Sequence, residues 1–100
     1  MLPDELPHRP ETLRVRGELQ LSQGSVALAE ASYREAITLA QTIGAKAWEF
    51  RATMSLARLL RDTGRRDEAR GTLAEIYNWF TEGFDADLKD AKALLDELNQ

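Results

Sequence analysis

The chain has 100 residues, of which 43% are hydrophobic and 30% are charged, and its formal net charge is −4. This length and composition suit one compact globular domain. The acidic balance argues against a surface that neutralises nucleic-acid phosphates or docks on anionic lipid. The sequence contains no cysteine, which excludes disulfides, thiolate metal sites and a cysteine nucleophile.

The first ten residues differ from the rest of the chain. They hold all three prolines, Pro3, Pro7 and Pro10, and the single histidine, His8. Because proline disrupts a helix interior, residues 1–10 are predicted to form an extended leader before a domain at 11–100. His8 has no second histidine or cysteine to complete a metal site, so we expect neither a metal nor a cofactor.

Beyond the leader, Ala, Leu, Glu, Arg and Gln recur without a proline, which is the composition of continuous helix. Glycines 24, 44, 64 and 83 divide this stretch into segments of about twenty residues, each suited to one helix. The sequence therefore predicts an all-α fold with five helices and no strand. The predicted helices span residues 11–23, 26–43, 46–63, 66–80 and 86–98.

An internal repeat organises these helices. Gly24 and Gly64 lie 40 residues apart, and small or apolar residues recur at the same offset. The matched pairs are Gly17 with Ala57, Ala29 with Ala69, Tyr33 with Leu73, and Ala36 with Ile76. A helix-turn-helix unit that recurs at such a period is typical of a solenoid of stacked hairpins. We expect two antiparallel hairpins followed by a C-terminal capping helix.

The spacing of these small and aromatic positions resembles the tetratricopeptide signature, although the usual first-helix tryptophan is absent and the family's period is about 34 residues. The resemblance implies a tetratricopeptide-like superhelix. Residues 51–60, 64–70 and 77–85 also resemble the extreme C-terminal region of large bacterial adenylate or guanylate cyclases and transcriptional-regulator ATPases. The chain carries no catalytic domain of those proteins, so their activities are not carried over.

In tetratricopeptide proteins the first helix of each hairpin lines a concave groove that holds a partner segment. The resemblance therefore implies a protein or peptide partner and a protein–protein interaction or scaffold function. It places on the groove wall Arg14, Val15, Glu18, Arg51, Met54, Ser55, Arg58 and Asp62.

Motifs for catalysis are missing from the sequence. It has no phosphate-binding loop and no Gly-x-Ser-x-Gly elbow, and its carboxylates suit solvated helix ends. We therefore expect that the protein is not an enzyme. It has no apolar run of about 18 residues and no signal-peptide pattern, so we expect a cytoplasmic protein without a membrane partner.

Two groups leave alternatives open. An arginine cluster crosses the predicted turn near Gly64, and its charges either stabilise the ends of the helices or contact a ligand. The cluster comprises Arg58, Arg61, Arg65, Arg66 and Arg70. The cluster also supports the alternative function, a regulatory nucleic-acid-binding helical domain, which the net acidity opposes.

Trp79 lies about 200° around its helix from Tyr77, so it either packs on the fifth helix or is an exposed binding anchor, and packing is favoured.

The first helix is apolar on two sides. Leu13, Gly17 and Leu21 form one stripe, which suffices for packing on the second helix. Val15 and Leu19 form a second pair about 200° away. Because an exposed apolar pair favours a two-fold contact between copies, we expect a homodimer through Val15 and Leu19. The alternative is that the leader folds back and covers the pair with Leu2 and Leu6.

Overall fold

A computed structural model describes residues 9–79 and 85–99 of the chain. These residues form five α-helices and contain no β-strand. The predicted all-α class is confirmed, and every helix boundary lies within one residue of its predicted position. The helices are α1 (Pro10–Ser22), α2 (Val26–Ile43), α3 (Lys46–Asp62), α4 (Arg66–Trp79) and α5 (Asp85–Leu98).

The boundary between leader and domain needs a small correction. Pro10 is the first residue of α1 rather than the last residue of an extended leader. Proline fits this place because its fixed φ suits a helix and the first helical residue needs no backbone N–H donor. The remainder of the predicted leader, residues 1–8, lies outside the described residues.

The turns that close the two hairpins have the same backbone geometry. Gly24 and Gly64 each have a φ of 84°, a left-handed conformation that glycine adopts without a Cβ clash. The next N–H, from Ser25 or Arg65, donates a 2.8 Å bond to the carbonyl of Gln20 or Leu60. This bond satisfies one of the carbonyls left open at a helix end. The short turns reverse the chain, so that each helix packs against the next one.

Helix α3 is the centre of the molecule. It packs against α2 and α4, its neighbours in sequence, and also touches α1 and α5. Leu56, Leu59 and Leu60 are almost completely buried on it, and the surrounding core contains buried residues from α2, α4 and α5. Because α3 is covered by four helices, it leaves only a narrow stripe open to solvent.

The positions that match at the 40-residue offset are buried in both pairs of helices. Ala29 and Ala69 are each 0% exposed, as predicted for close helix contacts. Tyr33 and Leu73 fill the next position with at most 1% exposure. The apolar stripe of α5 is buried as well, through Ala91, Leu94 and Leu98, while the charged residues at 89, 90, 92, 96 and 97 are exposed.

Candidate functional site

Helix α3 is exposed along one side only. Trp48, Arg51, Arg58 and Asp62 are exposed there, and Ser55 lies in the middle of the same stripe. Their spacing of three and four residues places them on one face of the helix. Four of these five residues were predicted for a partner-binding wall, and Trp48 adds an aromatic side chain to it.

Three of the predicted wall residues meet where α1 passes α3. Ser55 Oγ donates a 3.1 Å hydrogen bond to Glu18 Oε2 and accepts one of 3.3 Å from Arg14 Nη1. Arg14 also forms a 2.7 Å ion pair with Glu11 on its own helix, and this hydrogen bond holds the pKa of the Glu11 carboxyl below its usual value. We name the surface formed by Glu11, Arg14, Glu18, Arg51, Ser55 and Arg58 the α1–α3 face.

A buried tyrosine supports this surface from below. Tyr33 of α2 is 1% exposed, and its hydroxyl interacts with the Glu18 carboxylate. Burial raises the pKa of the Tyr33 hydroxyl, and the negative charge of Glu18 raises it further. The hydroxyl therefore keeps its proton in the folded protein and fixes the position of Glu18 on the α1–α3 face.

Two other predicted wall residues have different positions. Met54 is 6% exposed and belongs to the core, so it is not an accessible wall residue. It stands about 100° around α3 from Ser55, where the neighbouring helices cover it. Val15 is 42% exposed, but it lies on the side of α1 opposite the buried stripe rather than between α1 and α3.

The charges on the α3 stripe differ in their contacts. The guanidinium of Arg51 stacks over the Trp48 ring at 5.4 Å from its centroid. Asp62 accepts a 2.9 Å bond from Arg61. Arg58 is exposed and pairs with no carboxylate among the described residues. The stripe therefore presents a cation to an incoming group at Arg58.

The other four arginines of the predicted cluster have partners within the protein. Arg61 pairs with Asp62 and with Glu97 of α5, and Arg65 pairs with Glu30 and Glu68. Arg66 and Arg70 donate to the carbonyl oxygens of Glu97 and Leu98, and Arg70 also pairs with Asp67. These contacts hold helix ends together, and Arg58 is the member of the cluster that faces solvent without a carboxylate partner among residues 9–79 and 85–99.

A groove of about 500 Å³ lies on the opposite side of α3. Its walls come from α2 and α4, and an ion pair between Arg34 in the middle of α2 and Glu68 in the first turn of α4 joins these two helices. We name it the α2–α4 groove. Its lining residues include Arg34, Ile37, Thr38 and Gln41 of α2, Lys46, Glu49, Thr53 and Leu56 of α3, and Thr72, Glu75, Ile76 and Trp79 of α4.

A buried carboxylate and an exposed indole mark one end of this groove. Glu49 is 6% exposed, and its carboxylate accepts bonds of 2.7 Å from Lys46 and 3.0 Å from Gln41. The Lys46 ammonium lies 4.8 Å from the centroid of the Trp79 ring. Trp79 is 60% exposed, so the exposed alternative describes it better than tight packing on α5. Its proposed neighbour Phe84 lies outside the described residues.

Sequence reasoning did not find this groove. The spacing of Lys46 and Glu49 permits an ion pair, but that spacing is common on solvated helices. The separation of α2 and α4 depends on the packing of three helices, which no local pattern encodes. The direction of Trp79 around its helix was a usable signal, because it places the indole away from the core side of α4.

The described residues contain no group of three or more histidine, cysteine or acidic side chains arranged to hold a metal ion. None of the helices in that part of the chain combines the length and apolar character needed to cross a bilayer. Comparison with models of known protein families, with curated proteins and with solved structures finds no match to this chain.

Proposed function

We propose that this chain is a protein-interaction module of the tetratricopeptide-like type, and that a partner segment binds along the α1–α3 face. The recurrence at a 40-residue offset supports the repeat, because the buried positions and the hairpin turns of α1–α2 return in α3–α4. Stacked hairpins bring equivalent helices side by side and create one extended surface.

The observation that carries the proposal is the contact between Arg14, Glu18 and Ser55. It joins the first helices of the two hairpins through hydrogen bonds of 3.1 and 3.3 Å. A surface shared by two helices and held by buried Tyr33 beneath it is pre-organised, so a partner does not have to order it on binding.

Charge indicates the chemistry of the partner. Arg58 faces solvent without a carboxylate partner in the described part of the chain, and the Arg51 guanidinium lies over Trp48. Guanidinium groups bind carboxylates through paired hydrogen bonds. The proposed partner is an extended segment with an acidic residue opposite Arg58.

Selection of peptides from a random display library on the immobilised chain tests the function. We expect enrichment of sequences with Asp or Glu, and isothermal titration of the selected peptide should show binding about five- to tenfold weaker for Arg58→Ala. Arg16→Ala is the control, because Arg16 pairs with Glu35 away from α3. Equal affinity of both variants would reject the α1–α3 face as the binding surface.

The resemblance of residues 51–60, 64–70 and 77–85 supports a place for this module in bacterial cytoplasmic signalling, as part of a larger regulator or beside one. No enzymatic reaction is assigned to it. Nucleic-acid binding is not proposed, since four of the five clustered arginines already bind carboxylates or carbonyls of the chain itself.

Self-association is the second element of the proposal. Val15 and Leu19 are 42% and 59% exposed on the side of α1 that faces away from the core. They lie one turn apart and form an apolar pair. A two-fold contact between copies would bury the same pair on each chain.

A further inference from the structure

The α2–α4 groove has chemistry of its own and is separate from the α1–α3 face. Its floor residues Lys46, Glu49 and Thr53 lie on the side of α3 opposite Ser55. A ligand in the groove would therefore not compete for the same side chains as a partner on the α1–α3 face.

Most of the charges in the groove neutralise one another. Arg34 pairs with Glu30 and Glu68, and Lys46 pairs with Glu49. Glu75 is exposed on the groove wall, and no basic side chain in the described part of the chain pairs with it. The charge that remains is negative, so the groove is complementary to a cation.

An aromatic ring stands beside this carboxylate. Trp79 follows Glu75 by four residues on α4, so both side chains lie on the same wall, one turn apart. The ring already lies next to a cation, the Lys46 ammonium 4.8 Å from its centroid. A carboxylate next to an indole face provides both attractions that hold a basic group, the ion pair and the cation–π contact.

We propose that the α2–α4 groove binds a lysine or arginine side chain from an extended partner segment, with its charged end between Trp79 and Glu75. In this structure the Lys46 ammonium contacts the face of the Trp79 indole, and the basic group of the partner displaces it from the ring on binding. Ile37, half-buried on the α2 wall, contacts an apolar residue that flanks the basic one. The occupant is a peptide rather than a free amine, because Ile37 offers an apolar contact that a free amine would not use.

The experiment uses a blocked tripeptide, N-acetyl-leucyl-arginyl-leucine amide, titrated into the ¹⁵N-labelled chain. The chain has two tryptophans, Trp48 and Trp79, so Trp79→Phe assigns the two indole N–H signals. We expect saturable movement of the Trp79 signal while the Trp48 signal stays in place. The same peptide with glutamine in the centre should bind at least about threefold more weakly, because it has no cation for the ring or the carboxylate.

Three variants distinguish this site from general attraction to an acidic protein. Glu75→Gln should weaken the arginine peptide about two- to fivefold. Asp96→Asn is the charge-matched control and should leave the affinity unchanged, because Asp96 is exposed on α5 and does not line the groove. Lys46→Gln should tighten binding by about two- to threefold, because it removes a cation that competes for the indole.

Several results would overturn the proposal. Equal affinity for the arginine and glutamine peptides would show that the positive charge of the peptide does not contribute to binding. An equal loss of affinity in Glu75→Gln and Asp96→Asn would show that the net charge of the protein, and not the groove, attracts the peptide. Weaker binding by Lys46→Gln would show that Lys46 is part of the site rather than a competitor. Binding of n-butylammonium as tightly as the peptide would contradict a peptide occupant.

Discussion

Gly17 is the residue at which α1 approaches α2 most closely. A Cβ atom at this position would lie 2.7 and 2.9 Å from two ring carbons of Tyr33 and 3.2 Å from the Ala29 carbonyl oxygen. Distances below 3 Å require the ring to move, but Tyr33 is buried and its hydroxyl interacts with Glu18. The small residue at 17 thus sets the distance between the helices and the position of Glu18.

Replacement of Gly17 by alanine should therefore destabilise the protein by about 1–3 kcal/mol through overpacking. Gly71→Ala is the matched control, since Gly71 is exposed within α4 and no atom lies within 4 Å of its would-be Cβ. At position 71 the higher helix propensity of alanine should stabilise the protein by about 0.5–1 kcal/mol. Urea unfolding of both variants measures the difference, and a shift of the same sign in both would contradict the predicted contact.

The raised pKa of Tyr33 predicts a loss of stability at alkaline pH. In the unfolded chain the hydroxyl titrates near its ordinary pKa of 10.0, whereas in the folded protein burial and Glu18 favour the protonated form. The contribution of protonated Tyr33 to the free energy of unfolding is complete below pH 10.0. Above that value the contribution decreases, by at most about 1.4 kcal/mol per pH unit. Urea unfolding between about pH 8 and pH 11 measures this slope.

The decrease in the free energy of unfolding per pH unit should be smaller in Tyr33→Phe, which has no ionisable group at this position. Tyr77→Phe serves as the control, because it keeps Tyr33 and should retain the wild-type slope. An unchanged slope in Tyr33→Phe would attribute the alkaline loss to other residues.

At the scale of elements, the sequence predicted what local signals encode. Glycine and proline mark helix ends through backbone geometry, and near Pro10, Gly24, Gly44 and Gly64 the predicted boundaries agree within one residue. Gly83, the predicted break between α4 and α5, lies outside the described residues. Burial at the edge of a helix was less predictable. Met54 was expected on an accessible wall but is 6% exposed, because its environment depends on which neighbouring helices cover α3. The α2–α4 groove was missed for the same reason.

Helix α5 completes the core by covering parts of both α3 and α4. Leu94 is 5% exposed in this contact, and Arg61 of α3 reaches Glu97 of α5. The ion pair is largely exposed and contributes little, so burial of the leucine side chain provides most of the attachment.

We expect Leu94→Ala to destabilise the protein by about 2–5 kcal/mol, the usual cost of removing a buried leucine side chain. Leu28→Ala makes the same chemical change at a residue that is 57% exposed, and its effect should stay within about 0.5 kcal/mol. Chemical unfolding followed by circular dichroism compares the two variants. Equal unfolding midpoints would show that α5 does not stabilise the core.

At the scale of the whole molecule, the described residues carry the three surfaces on which the proposals rest. The α1–α3 face carries Arg58 on one side of α3, and the α2–α4 groove carries Glu75 on the other. The third surface is the outer side of α1, where Val15 and Leu19 are exposed. Because these surfaces use different residues, binding at each can be removed separately by mutation.

The proposed homodimer belongs to this scale. Burial of Val15 and Leu19 from two chains favours association, because removing apolar area from water contributes about 25 cal/mol per Å². Sedimentation equilibrium at high micromolar concentration should give a mass above the 11.3 kDa of one chain. Leu19→Glu should shift the population to monomer without loss of helix, since a charge cannot be buried there without a partner.

Leu28→Glu is the matched control for the self-association test. Leu28 is exposed to nearly the same degree as Leu19, 57% against 59%, but it lies on α2. The two variants carry the same net charge, so general repulsion between chains would weaken association equally in both. Selective dissociation of Leu19→Glu assigns the contact to the outer side of α1, whereas monomeric wild-type protein at high micromolar concentration would reject the homodimer.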